Sequence, residues 1–163
     1  MNEDLTARPA VQRVVQALVE GNSEARVIVL AETARTAEDA AASLNCELGA
    51  IVKSLVFRVG DQPVMALVAG DRRCDTNALP SALGLEGKAK RADADMVQTA
   101  TGFTIGGVAP LGFPAPLPMV IDTNFRRFAV IYAAAGHPHC VFGTSLDELM
   151  RLTGAKSDGA IAI

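Results

Sequence analysis

Lys53 stands in the middle of an apolar run, Ala50-Ile-Val-Lys-Ser-Leu-Val-Phe57. A lysine there loses hydration, which disfavours its charged form unless an anion or hydrogen bonds compensate. Two readings follow. Lys53 lines a pocket and meets a phosphate, a carboxylate or a developing oxyanion, or it sits at a sheet edge and reaches water along its stem. Adjacent side chains on a strand face opposite ways, which argues against a Ser–Lys nucleophilic pair between Lys53 and Ser54. A second feature is Thr101-Gly-Phe-Thr-Ile-Gly-Gly-Val-Ala-Pro-Leu-Gly112, with Gly102, Gly106, Gly107, Gly112 and Pro110 among apolar residues that include Phe103 and Val108. Its apolar character argues for a packed loop rather than a linker. Such a loop either aims backbone N–H groups into a concavity or serves only a turn.

His137, His139 and Cys140 are the other reactive cluster. In an extended segment the two histidines share a face and Cys140 does not, and nothing else has ligand spacing, so no metal is expected. His137 beside Gly136 lines a pocket or bonds a turn. Asp122 ends an apolar strand and either orients Lys53 or a substrate amine, or initiates the turn at Thr123-Asn124. Arg72-Arg73, Lys88-Lys90-Arg91 and Arg126-Arg127 are short basic clusters that are solvated surface, or phosphate contacts if they share a face. There is no Walker loop and no G-x-G-x-x-G.

The elements that position these residues read as follows. Residues 8–20 form a helix with Val11, Val14, Val15, Leu18 and Val19 on one stripe. Arg26–Ala31 is a strand. Thr36 caps a helix that ends near Asn45-Cys46. The strand bearing Lys53 is central and buried on both faces, and it turns at Gly60-Asp61 into Val64–Ala69. Thr76–Leu83 is a short helix, and Asp93 caps another that runs to Ala100. Met119–Asp122 and Phe128–Ala134 are strands, and Gly136–Phe142 is a turn into a last strand. Ser145 and Glu148 form a capping box for a final helix that Gly154 closes. The order is not a regular βαβ alternation. It predicts a single α+β domain over 1–163, with a mixed, mainly antiparallel curved sheet and helices around it.

The 163 residues are 50% hydrophobic and 20% charged, enough for a core and too apolar for disorder. A net charge of −3 excludes an overall basic field for indiscriminate nucleic-acid binding, so no DNA partner is expected. Three widely spaced cysteines point to reduced thiols and a cytoplasmic setting. The polar start, Asn2-Glu3-Asp4, is unlike a signal peptide, and no apolar run approaches the length of a membrane span.

Lys53 in Ile-Val-Lys-Ser-Leu-Val-Phe, followed some fifty residues later by the glycine stretch, resembles the YbaK family of aminoacyl-tRNA deacylases, the domain also inserted in bacterial prolyl-tRNA synthetases. The resemblance runs from about Arg26 to Ala155, and includes Val120-Ile121-Asp122 and Ala135-Gly136. It implies a curved mixed sheet around a pocket. It also implies hydrolysis, without cofactor, of the ester joining a wrong small amino acid (alanine, cysteine, serine or threonine) to a tRNA such as tRNA(Pro). Lys53 matches the family's essential lysine. Gly102, Phe103, Gly106, Gly107, Val108 and Pro110, with Asp122, Gly136 and His137, match its substrate-binding surroundings. Ser54 and His137 stand where relatives vary, which leaves the amino acid open. The implied partner is the acceptor end of an aminoacyl-tRNA, with a synthetase as a candidate second partner. The rival reading is a non-catalytic module that holds a small anion or nucleotide in the same pocket.

Overall fold

The computed structural model describes residues 4–31 and 34–163; Asn2 and Glu3 of the polar N-terminus lie outside them. Helix α1 (Pro9–Glu20) begins at Pro9, where a missing N–H costs nothing, and buries Val11, Val14 and Leu18. Val19 points outward and is 62% exposed, so the apolar stripe is narrower than the periodicity predicts. Strand β1 is Val27–Val29 and helix α2 is Ala37–Leu44. Thr36 caps α2 by accepting from the Asp39 N–H at 3.1 Å. Strands β2 (Ile51–Val59) and β3 (Gln62–Ala69) form the predicted hairpin, closing at Val59 and Gln62.

Helix α3 is only Leu79–Ala82. The expected start at Thr76 is taken by a turn in which the Asp75 carboxylate accepts from the Asn77 N–H and its carbonyl from Ala78. Strand β4 (Ala89–Arg91) precedes α4 (Ala94–Thr101), capped by Asp93 at 2.8 Å from the Met96 N–H. Strand β5 is Met119–Ile121, β6 is Ile131–His137, β7 is Cys140–Thr144, α5 is Leu146–Thr153 and β8 is Lys156–Ser157. Strand β6 starts three residues later than expected because Thr123–Arg127 winds into a 3-10 turn. At α5 the capping box is half made. The Ser145 hydroxyl accepts from the Glu148 N–H at 3.1 Å, while the Glu148 carboxylate turns to Arg151 at 2.5 Å.

The sheet runs β1-β7-β6-β2-β3-β5-β8, with β4 added to β2. The β1/β7, β6/β7, β2/β3 and β2/β4 pairs are antiparallel; β2/β6, β3/β5 and β5/β8 are parallel. This is the mixed, mainly antiparallel α+β arrangement that was expected, and β2 lies at its centre. Both faces are covered, so Val64 through Ala69 are all fully buried. One face packs Val52, Val56, Met65 and Leu67 against α1, the glycine stretch and α5. The other packs Phe57, Val64, Ala66 and Val68 against Leu79 of α3 and Ile161 near the C-terminus. A third cluster sets Ala40 and Ala41 of α2 against Ile51 and Val141.

Candidate functional site

Strand β2 pairs with β6 only at Ile51 and Val52, and with β4 only from Phe57. Between these contacts, residues 53–56 have no strand neighbour on that side, and β2 and β6 part. The parting follows from β6. A register shift falls between Ala134 and His137, and Gly136 adopts φ +90° with α1 so close that a Cβ there would lie 2.7 Å from the Ala10 carbonyl oxygen. Bulges of this kind re-aim strands beside functional sites.

The gap is a cavity of about 340 Å³, within the usual range for a small-molecule site. The start of α2 walls one side with Ala34, Ala37 and Ala40, and Ile105, Gly106 and Val108 of the glycine stretch wall the other. Lys53, Ser54, Arg91 and Tyr132 also line it. The half-buried Lys53 donates from Nζ to the Arg72 carbonyl in the loop after β3. Ser54 presents a different set of groups. The Ile51 carbonyl accepts from Gly70 on the β3 side and the Val56 carbonyl accepts from Ala92 on the other. By alternation, the Ser54 N–H and carbonyl face the gap. Its hydroxyl is buried and has no hydrogen-bond partner among the described residues. Lys53 and Ser54 therefore face opposite ways, as the spacing predicts, yet both border a cavity that opens at the strand's edge.

The glycine stretch divides by role. Gly102 (φ +79°) ends α4. The Arg13 guanidinium donates to its carbonyl and stacks 5.2 Å from the Phe103 ring, which is itself core. Gly107 is buried, and a Cβ on it would lie 3.0 Å from backbone atoms of Gly136 and His137. Its N–H is spent on the Thr104 carbonyl at 3.0 Å, whereas the N–H groups of Ile105, Gly106 and Val108 have no acceptor among the described residues. Three residues with uncommitted amides thus line the cavity. Gly102, Phe103, Gly107, Pro110, Gly136 and His137 support this wall from behind rather than lining it. His137 accepts at Nδ1 from the His139 N–H at 3.1 Å.

Asp122 is fully buried and does not line the cavity. It accepts from the Ala69 N–H at 3.1 Å and from the Asn124 N–H and Nδ2 at 2.8 and 2.7 Å, the turn-initiating arrangement. The Asn124 carbonyl accepts from Arg127 Nε at 2.8 Å, and Arg127 grips both oxygens of Asp71 at 2.9 Å. Asp71 precedes Arg72, so this chain of bonds ends at the carbonyl that holds Lys53. The Arg127 guanidinium holds the Asp71 carboxyl below its ordinary range. Nothing in residue type points to Arg72, because the group that matters is its backbone.

The thiols are poor nucleophiles. Burial, then Asp75, pushes the Cys74 thiol up to about 11, against an opposing pull from Lys53. Burial also raises Cys140, which is fully enclosed in the core. Among the described residues, no group of three His, Cys, Asp or Glu could hold a metal, and no helix is long and apolar enough to cross a membrane.

The sequence profile of the aminoacyl-tRNA editing domain matches residues 31–152. A solved structure described as a candidate trans-editing enzyme for prolyl-tRNA synthetase superimposes with a TM-score of 0.86 at 36% identity, over 93% of this chain and 96% of that one. EbsC of Enterococcus faecalis, a candidate Cys-tRNA(Pro)/Cys-tRNA(Cys) deacylase, is 28% identical over 74% of each chain. A Thermoanaerobacter proline–tRNA ligase is 32% identical over 59% of this chain, a match that spans only 18% of the ligase.

Proposed function

The chain belongs to the aminoacyl-tRNA editing domain family, and from that premise we propose that it is a trans-acting deacylase, hydrolysing the ester between a wrongly attached small amino acid and the terminal adenosine of a tRNA. The observation that carries this reading is the Lys53 amine at the edge of a cavity bordered by uncommitted amides. We take the domain core as about residues 26–155, its substrate contact as the acceptor end, a synthetase as a possible second partner, and the cytoplasm as its place of action.

An aminoacyl ester is already activated, so hydrolysis needs a positioned water and a stabilised oxyanion rather than a strong nucleophile. The residues present match that need. An ammonium has three donors; one is spent on the Arg72 carbonyl, leaving two for a phosphate, a ribose oxygen or the ester. The amides of Ile105, Gly106 and Val108 are the candidate oxyanion donors. The walls of Ala34, Ala37, Ala40 and Ala134 suit a small side chain. The cavity therefore suits the small alanyl, cysteinyl, seryl and threonyl esters.

The test is amino-acid release from tRNAs charged with alanine, cysteine, serine, threonine and proline at catalytic enzyme concentration. Release of one or two of these small residues, lost in Lys53→Ala, supports the reading. No release from any of them by folded protein contradicts it and leaves a ligand-binding module.

A further inference from the structure

We propose that Arg58, Lys88, Lys90 and Arg91 form a basic ledge that receives the phosphate backbone of the substrate RNA where it leaves the cavity; the proposal rests on the deacylase reading above. Strand β4 hangs off the outer part of β2, with Arg91 opposite Phe57 and Lys90 opposite Arg58. Like charges set directly opposite across a strand pair destabilise it. Nothing among the described residues relieves this pair. Among the described residues, no carboxylate lies in ion-pair distance of any of the four cations, although the chain as a whole is net negative. Arg58 donates instead to the Gly60 carbonyl at 3.2 Å. Lys88, Lys90 and Arg91 are exposed. Strand alternation sets Lys88 and Lys90 on the face shared with Arg58 and Arg91 on the other face, beside Phe57, so the ledge wraps the outer edge of β4.

Position indicates what the ledge is for. Arg91 lines the cavity, and Lys88 lies about 10 Å further out along the extended chain. A polyanion whose last nucleoside occupies the cavity and whose chain leaves along β4 passes Arg91 first and Lys88 after it. A ledge continuous with the cavity favours the substrate's own phosphates over an acidic protein surface. Four cations also reconcile net negative charge with RNA as substrate, because contact is confined to the few phosphates beside the ester. Binding should then fall with salt at a slope of about −2 to −4 in log–log form.

The test compares wild type with Lys88→Glu/Lys90→Glu, two exposed positions that do not line the cavity. One substrate is the charged tRNA that wild type prefers; the other is the same amino acid esterified to adenosine alone, which carries no phosphate. The expected result is a roughly tenfold loss of kcat/KM on tRNA, carried by KM, with a salt slope shallower by about 2 and no change on the adenosine ester. Lys90→Glu faces Arg58, so the melting temperature should hold or rise, which separates lost binding from lost folding. The milder Lys88→Gln/Lys90→Gln variant should fall between. Unchanged kinetics and salt slope on tRNA would overturn the ledge, as would equal loss on both substrates. A loss seen only with a synthetase present would reassign the ledge to an acidic protein surface. Wild type inert on both substrates would instead refute the deacylase reading, and the ledge with it.

Discussion

Lys53 of strand β2 donates its side-chain amine to the backbone carbonyl of Arg72, nineteen residues on, across the hairpin that β2 makes with β3. The loop that carries this carbonyl is held on both flanks. Asp71 is gripped by Arg127, and Arg73 exchanges backbone hydrogen bonds with Ile163 at 3.0 and 2.8 Å. The amine is thus aimed by backbone and ion pair rather than by a neighbouring acid.

Loosening that loop should lower activity while leaving Lys53 in place. A Cβ at Gly49 would lie 2.7 Å from Arg127 Nη2 and 2.9 Å from Asp71 Oδ2, so Gly49→Ala must push the pair apart. The expected outcome is a fall in kcat larger than any change in KM, with a stability loss of at most about 1 kcal/mol. A Gly49→Ala enzyme with unaltered kcat would show that the clamp does not position Lys53.

The same pair gives a pH signature. Asp71 has a lowered pKa in the folded state, chiefly through its hydrogen bond to Arg127. Its contribution is therefore present above the unfolded aspartate pKa of about 4 and is lost as pH falls through the folded value. Both side chains are about a third exposed, 33% and 37%, so the contribution is at most about 1 kcal/mol. Thermal melts of wild type and Asp71→Asn should differ more at pH 7 than at pH 3. An equal gap at both pH values would contradict the assignment.

Gly107 tests the opposite wall. Its close approach to the Gly136–His137 backbone leaves no room for a Cβ, so Gly107→Ala must move one backbone off the other. We expect a destabilisation of about 1–3 kcal/mol and a loss of activity on every substrate, because the Ile105–Val108 amides move together. Denaturant melts and kinetics on two different aminoacyl esters check this. A change in substrate preference without loss of stability would argue that Gly107 meets substrate directly.

Thiol chemistry should be dispensable. Cys46, Cys74 and Cys140 are all raised above the ordinary thiol pKa, each chiefly by burial. Treatment with iodoacetamide near neutral pH should label slowly and leave hydrolysis intact, as read by mass spectrometry and amino-acid release on one sample. Inactivation in step with labelling of one cysteine would instead point to a thiol mechanism.

The β2/β3 hairpin and the capped helices were legible because their signals are local: the Gly60-Asp61 turn, and Thr36, Asp93 and Ser145 ahead of apolar periods. Strands β4 and β8, three and two residues long, carry no period of their own and form only because β2 and β5 offer edges. The helix expected from Thr76 lost its first turn to Asp75, whose carboxylate and carbonyl both bond within the turn. In the site, Lys53 stood out because a lysine interrupts an apolar strand. The Arg72 carbonyl and the Ser54 peptide are backbone groups, which no residue identity announces, whereas the glycine stretch offered its amides as one of two readings. Asp122 also stood out, yet its carboxylate is filled by Ala69 and Asn124 and connects to Lys53 only through Asn124, Arg127, Asp71 and Arg72.

The most direct measurement is the hydrolysis of the preferred mischarged tRNA by Lys53→Ala beside wild type, under single-turnover conditions and with melts confirming equal folding. Removing one preorganised electrostatic donor costs on the order of 10²–10³ in rate, so the variant should retain well under a tenth of the wild-type rate constant. A folded Lys53→Ala protein that releases amino acid at the wild-type rate would contradict the placement of the chemistry at this cavity.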